Sequence, residues 1–228
     1  ALADVIWEPE DDYYVAHRDD FVYDNHAYFV NGAAGYAVLY DEPGGQALEG
    51  IENGVQFWVE WTIQTGGETW GYVEQNDADG KQIAGYFRMR EMLRVYDSDS
   101  FREEFADALT ETAESVPEVP EDAVAWTYPH SAGGTWRLGY LDPDYQPEFS
   151  LFYTDDEGLL WGYCGYYYGD RNFWICLSDP LNAELPVREI SYPDQIAPQA
   201  VPEELPGREI PWLAIGLVAA VVLITIIL

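Results

Sequence analysis

Positive charge is what this sequence has least of. Lysine and arginine together number 10, against 42 aspartates and glutamates, for a formal net charge of −32. A surface of that sign repels nucleic acid phosphates, anionic lipid headgroups and anionic wall polymers. Nucleic acid is therefore excluded as a partner, while cationic ligands, divalent cations or simple solubility fit the charge. Cysteine and histidine are nearly as scarce, at 2 and 3 residues. Cys164 and Cys176 have no zinc-type spacing, and His17, His26 and His130 lie apart with no ligand partner four residues on. There is no G-x-S-x-G, no glycine-rich phosphate loop before a helix, and no sortase signal, since Leu205-Pro206 runs into Gly207-Arg208. The stretch from Gln75 to Gly80 suggests a calcium loop but opens on glutamine and has Tyr86 where an EF-hand needs glutamate. No catalytic residue, metal site or cofactor is expected, and the chain reads as a non-enzyme. A hydrolase using paired carboxylates stays open as an alternative, although nothing singles out two acids among so many.

What is abundant is apolar and aromatic: 48% of residues are hydrophobic and 16% aromatic. That is enough to build real cores and rules out disorder of the whole chain. One element occurs twice. Trp70-Gly71-Tyr72 closes a run that opens at Phe57, and Trp161-Gly162-Tyr163 closes a run that opens at Phe149. Each run alternates apolar and polar residues, passes a glycine-bearing turn and returns. In the first, Phe57, Val59, Trp61 and Ile63 share a core face, while Gln56, Trp58, Glu60 and Thr62 share a polar one. The expectation is a small β module in two copies.

The termini suggest a compartment. Ile210–Leu228 carries no charge. As a helix it covers roughly 27 Å, close to the hydrocarbon thickness of a bilayer, and Trp212 stands at its entry, where indoles prefer the interface. Ala1-Leu2-Ala3 has the small-x-small form left by a signal peptidase. The expected location is the cell membrane, with a single pass and the bulk of the chain extracytoplasmic.

The expected organisation is an N-terminal lead-in over 1–34 with a signal-peptide remnant at 1–3 and a short helix after Pro9; a first module over 35–97; a short helix and an acidic, proline-bearing linker over 98–122; a second module over 123–181; a Pro-rich stalk over 182–209; and a transmembrane helix over 210–228. Ser100-Phe101-Arg102-Glu103 reads as a capping box for the linker helix. The stalk contains an echo, Glu184-Leu185-Pro186-Val187-Arg188-Glu189-Ile190 against Glu204-Leu205-Pro206-Gly207-Arg208-Glu209-Ile210.

Tyr40 to Gly45, the glycine-led strand Gly54 to Ile63, Trp70-Gly71-Tyr72-Val73 and Gly85-Tyr86-Phe87 resemble bacterial SH3-like domains. Trp161-Gly162-Tyr163 and Phe173-Trp174-Ile175 repeat the pattern, with Cys164 where the first copy has Val73. Asp4 to Glu10 and Trp174 to Pro180 also look like a group of membrane-anchored secreted proteins of gut-dwelling Gram-positive bacteria. The resemblance implies a mainly β protein of two SH3-like barrel modules in tandem, with short helices and one C-terminal transmembrane helix. It implies a non-enzymatic binding or sensing role at the cell envelope, with a cell-wall peptide or an envelope protein as partner beside the membrane.

Exposed aromatics mark grooves for extended peptides. The ligand-binding candidates are Trp58, Trp70, Tyr72, Trp161, Tyr163, Tyr166 and Trp174, with Trp58 the best single case because it lies on the polar face of its strand. Core filling is the competing reading for all of them. A hairpin centred on Asp170 would place Cys164 directly opposite Cys176, within disulfide reach; two reduced, core-packed thiols are the alternative. The cysteine and the tyrosine-rich hairpin mark the second copy as the one to carry a specialised function. A passive surface spacer is the remaining reading, and it requires that no aromatic be exposed in a groove.

Overall fold

The structure is a computed structural model that describes residues 7–76, 80–132, 136–138 and 146–197. It is mainly β, with two antiparallel sheets in two compact units, one formed by Ala1–Val95 with Tyr192–Leu228 and the other by Tyr96–Ser191. The signal remnant at 1–3, the stalk beyond 197 and the run Ile210–Leu228 lie outside the described residues. Among the described residues no helix is long and apolar enough to cross a membrane.

In the first unit, helix α1 (Asp12–Ala16) and a 3₁₀ turn at Arg18–Asp20 lead into β1 (Phe21–Val30). There follow β2 (Tyr36–Tyr40), β3 (Ala47–Glu52), β4 (Gln56–Thr65), β5 (Glu68–Asn76), β6 (Gln82–Arg88) and β7 (Met92–Arg94). Their order in the sheet is β3-β2-β6-β5-β4-β1-β7. In the second unit, α2 (Ser98–Glu104) and a 3₁₀ turn at Ala106–Ala108 lead into β8 (Leu109–Thr110). Then come β9 (Val124–Trp126), β10 (Trp136–Arg137), β11 (Leu151–Thr154), β12 (Leu160–Tyr167) and β13 (Asp170–Cys176), in the order β10-β9-β13-β12-β11-β8.

The two orders agree if β1 to β6 correspond in turn to β8 to β13, with β7 an additional edge strand of the first sheet. The repeat is therefore longer than the Trp-Gly-Tyr hairpins. It starts at the helix, so residues 12–30 are the counterpart of residues 98–110, and neither stretch is a lead-in or a linker to its sheet. β1 in particular is one ten-residue strand paired on both sides, to β4 and β7. Its two apolar pieces are joined across a bulge, where Asp24 and Asn25 oppose the single residue Glu60 and Asn25 takes φ 60°. Residues between β8 and β9 also pack: Val119 is buried and its amide donates to Gln146 Oε1 at 2.8 Å.

Both helices are set the same way. Asp11 caps α1 by accepting from the amide of Tyr14, and Asp97 caps α2 by accepting from that of Ser100. The cap of α2 is thus three residues upstream of the expected Ser100, because the aspartate side chain reaches the free amide first. Each helix presents one buried aromatic, Tyr14 or Phe101, to the sheet face that carries Trp70 and Tyr72 or Trp161 and Tyr163. Such burial is worth about 1.5–3 kcal/mol per side chain. Each N-terminus is also tied to the sixth strand of its unit or its counterpart: the Tyr86 hydroxyl donates to Asp11, and Trp174 Nε1 donates to Ser98 Oγ at 2.9 Å.

The Trp-Gly-Tyr element is the middle strand of a meander in both units, β5 between β4 and β6, and β12 between β11 and β13. Tryptophan and tyrosine point to the helix-covered face. The glycine is needed on the other face, where a Cβ on Gly71 would lie 2.9 Å from Val59 Cγ1 and one on Gly162 would lie 2.6 Å from the Phe149 ring. Val73 and Cys164 then occupy the second core of each sheet.

The hairpin β12–β13 corrects the disulfide. Its turn is Tyr168-Gly169, with φ 46° and 104°, between the pair Tyr167↔Asp170. Two central residues with positive φ match the twist of the flanking strands, which a turn centred on Asp170 would not. The register moves by an odd number of residues, so facing partners change sides. Cys164 pairs with Phe173, and Cys176 pairs with Trp161. The thiols sit in the two different cores of the unit and are free and buried. Burial pushes both up to about 11.

Candidate functional site

Of the seven aromatics singled out as ligand-binding, Trp70, Tyr72, Trp161, Tyr163 and Trp174 are core residues, at 3%, 5%, 0%, 6% and 0% exposure. They fill the helix-covered faces, and Tyr72 also edges a cleft. Tyr166 is exposed near the tip of the β12–β13 hairpin, with the Arg171 guanidinium 5.3 Å from its ring. Trp58 and Tyr72 are brought together in the first unit, in a place the second unit does not reproduce.

The site forms because two neighbouring strands part. The β4–β5 ladder runs from Thr65↔Glu68 to Trp61↔Tyr72, and among the described residues no further pair continues it. Beyond that point β4 pairs with β1, and β5 pairs with β6. The resulting cleft of about 270 Å³ is open to solvent and lined by Trp7, Trp58, Glu60, Tyr72 and Glu74. Trp58 is 51% exposed yet pinned, since its Nε1 donates to Asn25 Oδ1 at 3.1 Å. The left-handed bulge residue of β1 thus fixes an exposed indole. Trp7 stacks on Tyr72 with ring centroids 6.4 Å apart, and its carbonyl accepts from Trp61 Nε1 at 3.1 Å.

The two carboxylates differ. Glu74 accepts from the Tyr72 hydroxyl at 2.8 Å on one oxygen and from Gln82 Nε2 at 2.7 Å on the other. Burial, then the bond to Glu74, raises the Tyr72 pKa far above its ordinary value, so the phenol remains a donor. Glu74 is held by neutral donors and has lone pairs to spare. Glu60 has no such support: its Oε2 is out of reach of water and has no hydrogen-bond partner. Desolvation raises its pKa. A carboxylate with one oxygen buried and without a donor costs free energy, and a cation in the cleft would offset part of it through its charge. Three aromatic residues and two acids line this cleft, a set of groups that attracts an ammonium or guanidinium.

The second unit shows what such a group does on this scaffold. Tyr163 holds the place of Tyr72, facing Leu151 and Trp174 as Tyr72 faces Trp61 and Tyr86. Over its ring lies the Arg102 guanidinium, 4.5 Å from the centroid. Gly165 stands two residues on, where the first unit has Glu74. The second copy carries its own cation, paired with Asp99, and has glycine at the position of Glu74; the first has Glu60 and Glu74 beside a cleft.

Trp7, Glu60 and Glu74 were not singled out by the sequence. The readable signal was strand alternation, which puts Glu60 on the face of Trp58 and Glu74 on the face of Tyr72. Elsewhere, His130 lies beside Ser131 but does not activate it. Both ring nitrogens are engaged, Nε2 with Asp155 Oδ2 at 2.9 Å and Nδ1 with the Pro186 carbonyl at 2.8 Å. Among the described residues no three His, Cys, Asp or Glu side chains come together as metal ligands. Compared with protein-family models, with curated proteins and with solved structures, the chain matches none.

Proposed function

We propose that the chain is a non-enzymatic binding protein of the cell envelope, built from two SH3-like modules and anchored through the apolar run Ile210–Leu228. Its first module takes the cationic group of a peptide-like ligand, such as the free amine of a cell-wall cross-link peptide, between Trp7, Trp58 and Tyr72, with Glu60 and Glu74 as counter-charges. The observation that carries this reading is the Arg102 guanidinium over Tyr163, set against the open, acid-lined cleft over the equivalent Tyr72. The net charge of −32 draws cationic ligands to the surface in the same sense.

The test is titration of the full chain with a lysine-bearing peptide and with the same peptide acetylated on its side-chain amine, read by tryptophan fluorescence. Binding of the free amine alone supports the reading. Trp58→Ala should weaken it by about 2- to 30-fold, the range a cation–π contact covers, with little change in stability because the indole is half exposed. Equal binding of both peptides, or none of either, would sink it. The raised pKa of Glu60 favours one second reading, an acidic hydrolase with Glu60 as proton donor and Glu74 as partner. That reading requires turnover of a glycan or peptide substrate that Glu60→Gln abolishes.

A further inference from the structure

The stretch after the second sheet is docked onto the second unit by four of its residues. Leu185 is buried in the core formed by Phe101, Trp126, Trp161 and Trp174, and Ile190 packs at its edge. The Pro186 carbonyl faces His130 Nδ1 at 2.8 Å, and the Arg188 amide donates to the His130 carbonyl at 2.7 Å. The Arg188 guanidinium pairs with Glu104, donates to the Tyr96 hydroxyl at 3.2 Å and lies 4.5 Å from the Phe105 ring centroid. The groove is thus a built receptor for the pattern Leu-Pro-x-Arg-x-Ile, all of it within one unit. The position marked x between proline and arginine is Val187, which is 55% exposed.

The same pattern occurs once more, at Leu205-Pro206-Gly207-Arg208-Glu209-Ile210. Six of seven residues from Glu184 to Ile190 recur in Glu204 to Ile210, and the one that differs replaces the exposed Val187 with Gly207. Every side chain that the groove reads is kept. We propose that residues 204–210 of the same chain are an alternative occupant of this groove, exchanging with residues 184–190. Tethering on one chain gives both segments a high effective concentration at the groove, so the exchange needs no second molecule. Docking the second copy brings a point twenty residues further along the chain to the groove.

Hydrogen exchange on the full chain tests this, with Arg188→Glu, Arg208→Glu and the double variant, and Arg188→Ala as a milder companion. Arg208→Glu alone should leave the amides of the groove unchanged. Arg188→Glu or Arg188→Ala should free residues 184–190 and slow exchange in residues 204–210, while Phe101 and Tyr128 stay protected. In the double variant both copies should exchange freely and the groove should open. No slowing at 204–210 in either Arg188 variant, or slowing that survives Arg208→Glu, would overturn the proposal. Slowing that disappears on dilution, with dimers by sedimentation, would assign the occupant to a second copy and overturn the exchange within one chain.

Discussion

Arg102 lies over Tyr163 with its guanidinium carbon 4.5 Å from the ring centroid, while the equivalent ring of Tyr72 is stacked by Trp7 and faces a cleft containing Glu60 and Glu74. The two sheets share the order of six strands, their aspartate-capped helices and their Trp-Gly-Tyr strands. One copy sets an internal cation over this tyrosine ring, and the other stacks Trp7 on it beside an acid-lined cleft.

The glycine of Trp-Gly-Tyr is expected to be structural in both units. A Cβ on Gly71 would meet Val59 Cγ1 at 2.9 Å and Met89 Sδ at 2.5 Å; one on Gly162 would meet the Phe149 ring at 2.6 Å. Met89 is flexible and can yield, but β-branched Val59 and the Phe149 ring cannot move far. Gly71→Ala and Gly162→Ala should each cost about 1–3 kcal/mol, the usual range for overpacking. Chemical denaturation followed by tryptophan fluorescence would show it. Losses well under that range in both would mean that the strands shift easily and that the glycines are not what sets their spacing.

The hairpins were legible because period-two alternation and turn residues are local signals. The strand β1 was readable only as two pieces, since the bulge at Asp24-Asn25 interrupts its alternation. The equivalence of residues 12–30 with 98–110 was hidden because Tyr14 and Phe101 do the same work in unlike surroundings. The cleft was half legible: Trp58 stands out on a polar face, but the parting of β4 from β5 is set by which neighbours each strand pairs with. The cysteine pairing failed on a turn. Tyr168-Gly169 was outweighed by Gly169-Asp170-Arg171 as the centre, and an odd slip of register sends Cys164 and Cys176 to opposite cores.

The two thiols should therefore behave as free and slow. Both are buried, and desolvation pushes each up to about 11, leaving little thiolate at neutral pH. Thiol titration should find two reactive groups in denaturant and almost none in the folded chain. A reductant should not shift the unfolding transition. A monomer band whose mobility changes on reduction would contradict the register of β12 and β13.

Asp155 should make the second unit acid-sensitive. Its side chain is only 5% exposed. Burial acts to raise its pKa, but hydrogen bonds from Trp161 Nε1, the Leu159 amide, His130 and the Glu157 amide outweigh it and hold the carboxyl below its ordinary value. The unfolded chain then takes up the proton more readily than the folded one. The stabilisation is present above the unfolded-state pKa and is lost as pH falls through the folded-state value. Asp155→Asn should cost about 1.5–3 kcal/mol at neutral pH, as expected for bonds to a charged acceptor, and should flatten the acid limb of stability against pH. An unchanged acid limb would place the sensitivity elsewhere.

Glu60 has the opposite sign and ties stability to binding. Desolvation alone raises its pKa, and its Oε2 has no donor. In the free protein the ionised form is penalised, so this residue's contribution to stability falls as pH rises from the ordinary glutamate range to the raised folded-state value. Glu60→Gln should leave the fold intact and be neutral or stabilising at neutral pH. A bound ammonium group in the cleft favours the carboxylate through its charge. Affinity for a lysine-bearing peptide should therefore rise with pH through the free-state value of Glu60 and then level off. Within that window, binding should release protons, measurable by calorimetry in two buffers of different ionisation enthalpy. In Glu60→Gln both the pH slope and the proton release attributable to this residue should vanish, with affinity reduced. A pH slope that persists unchanged in Glu60→Gln would show that the cation, wherever it binds, does not sit against this carboxylate.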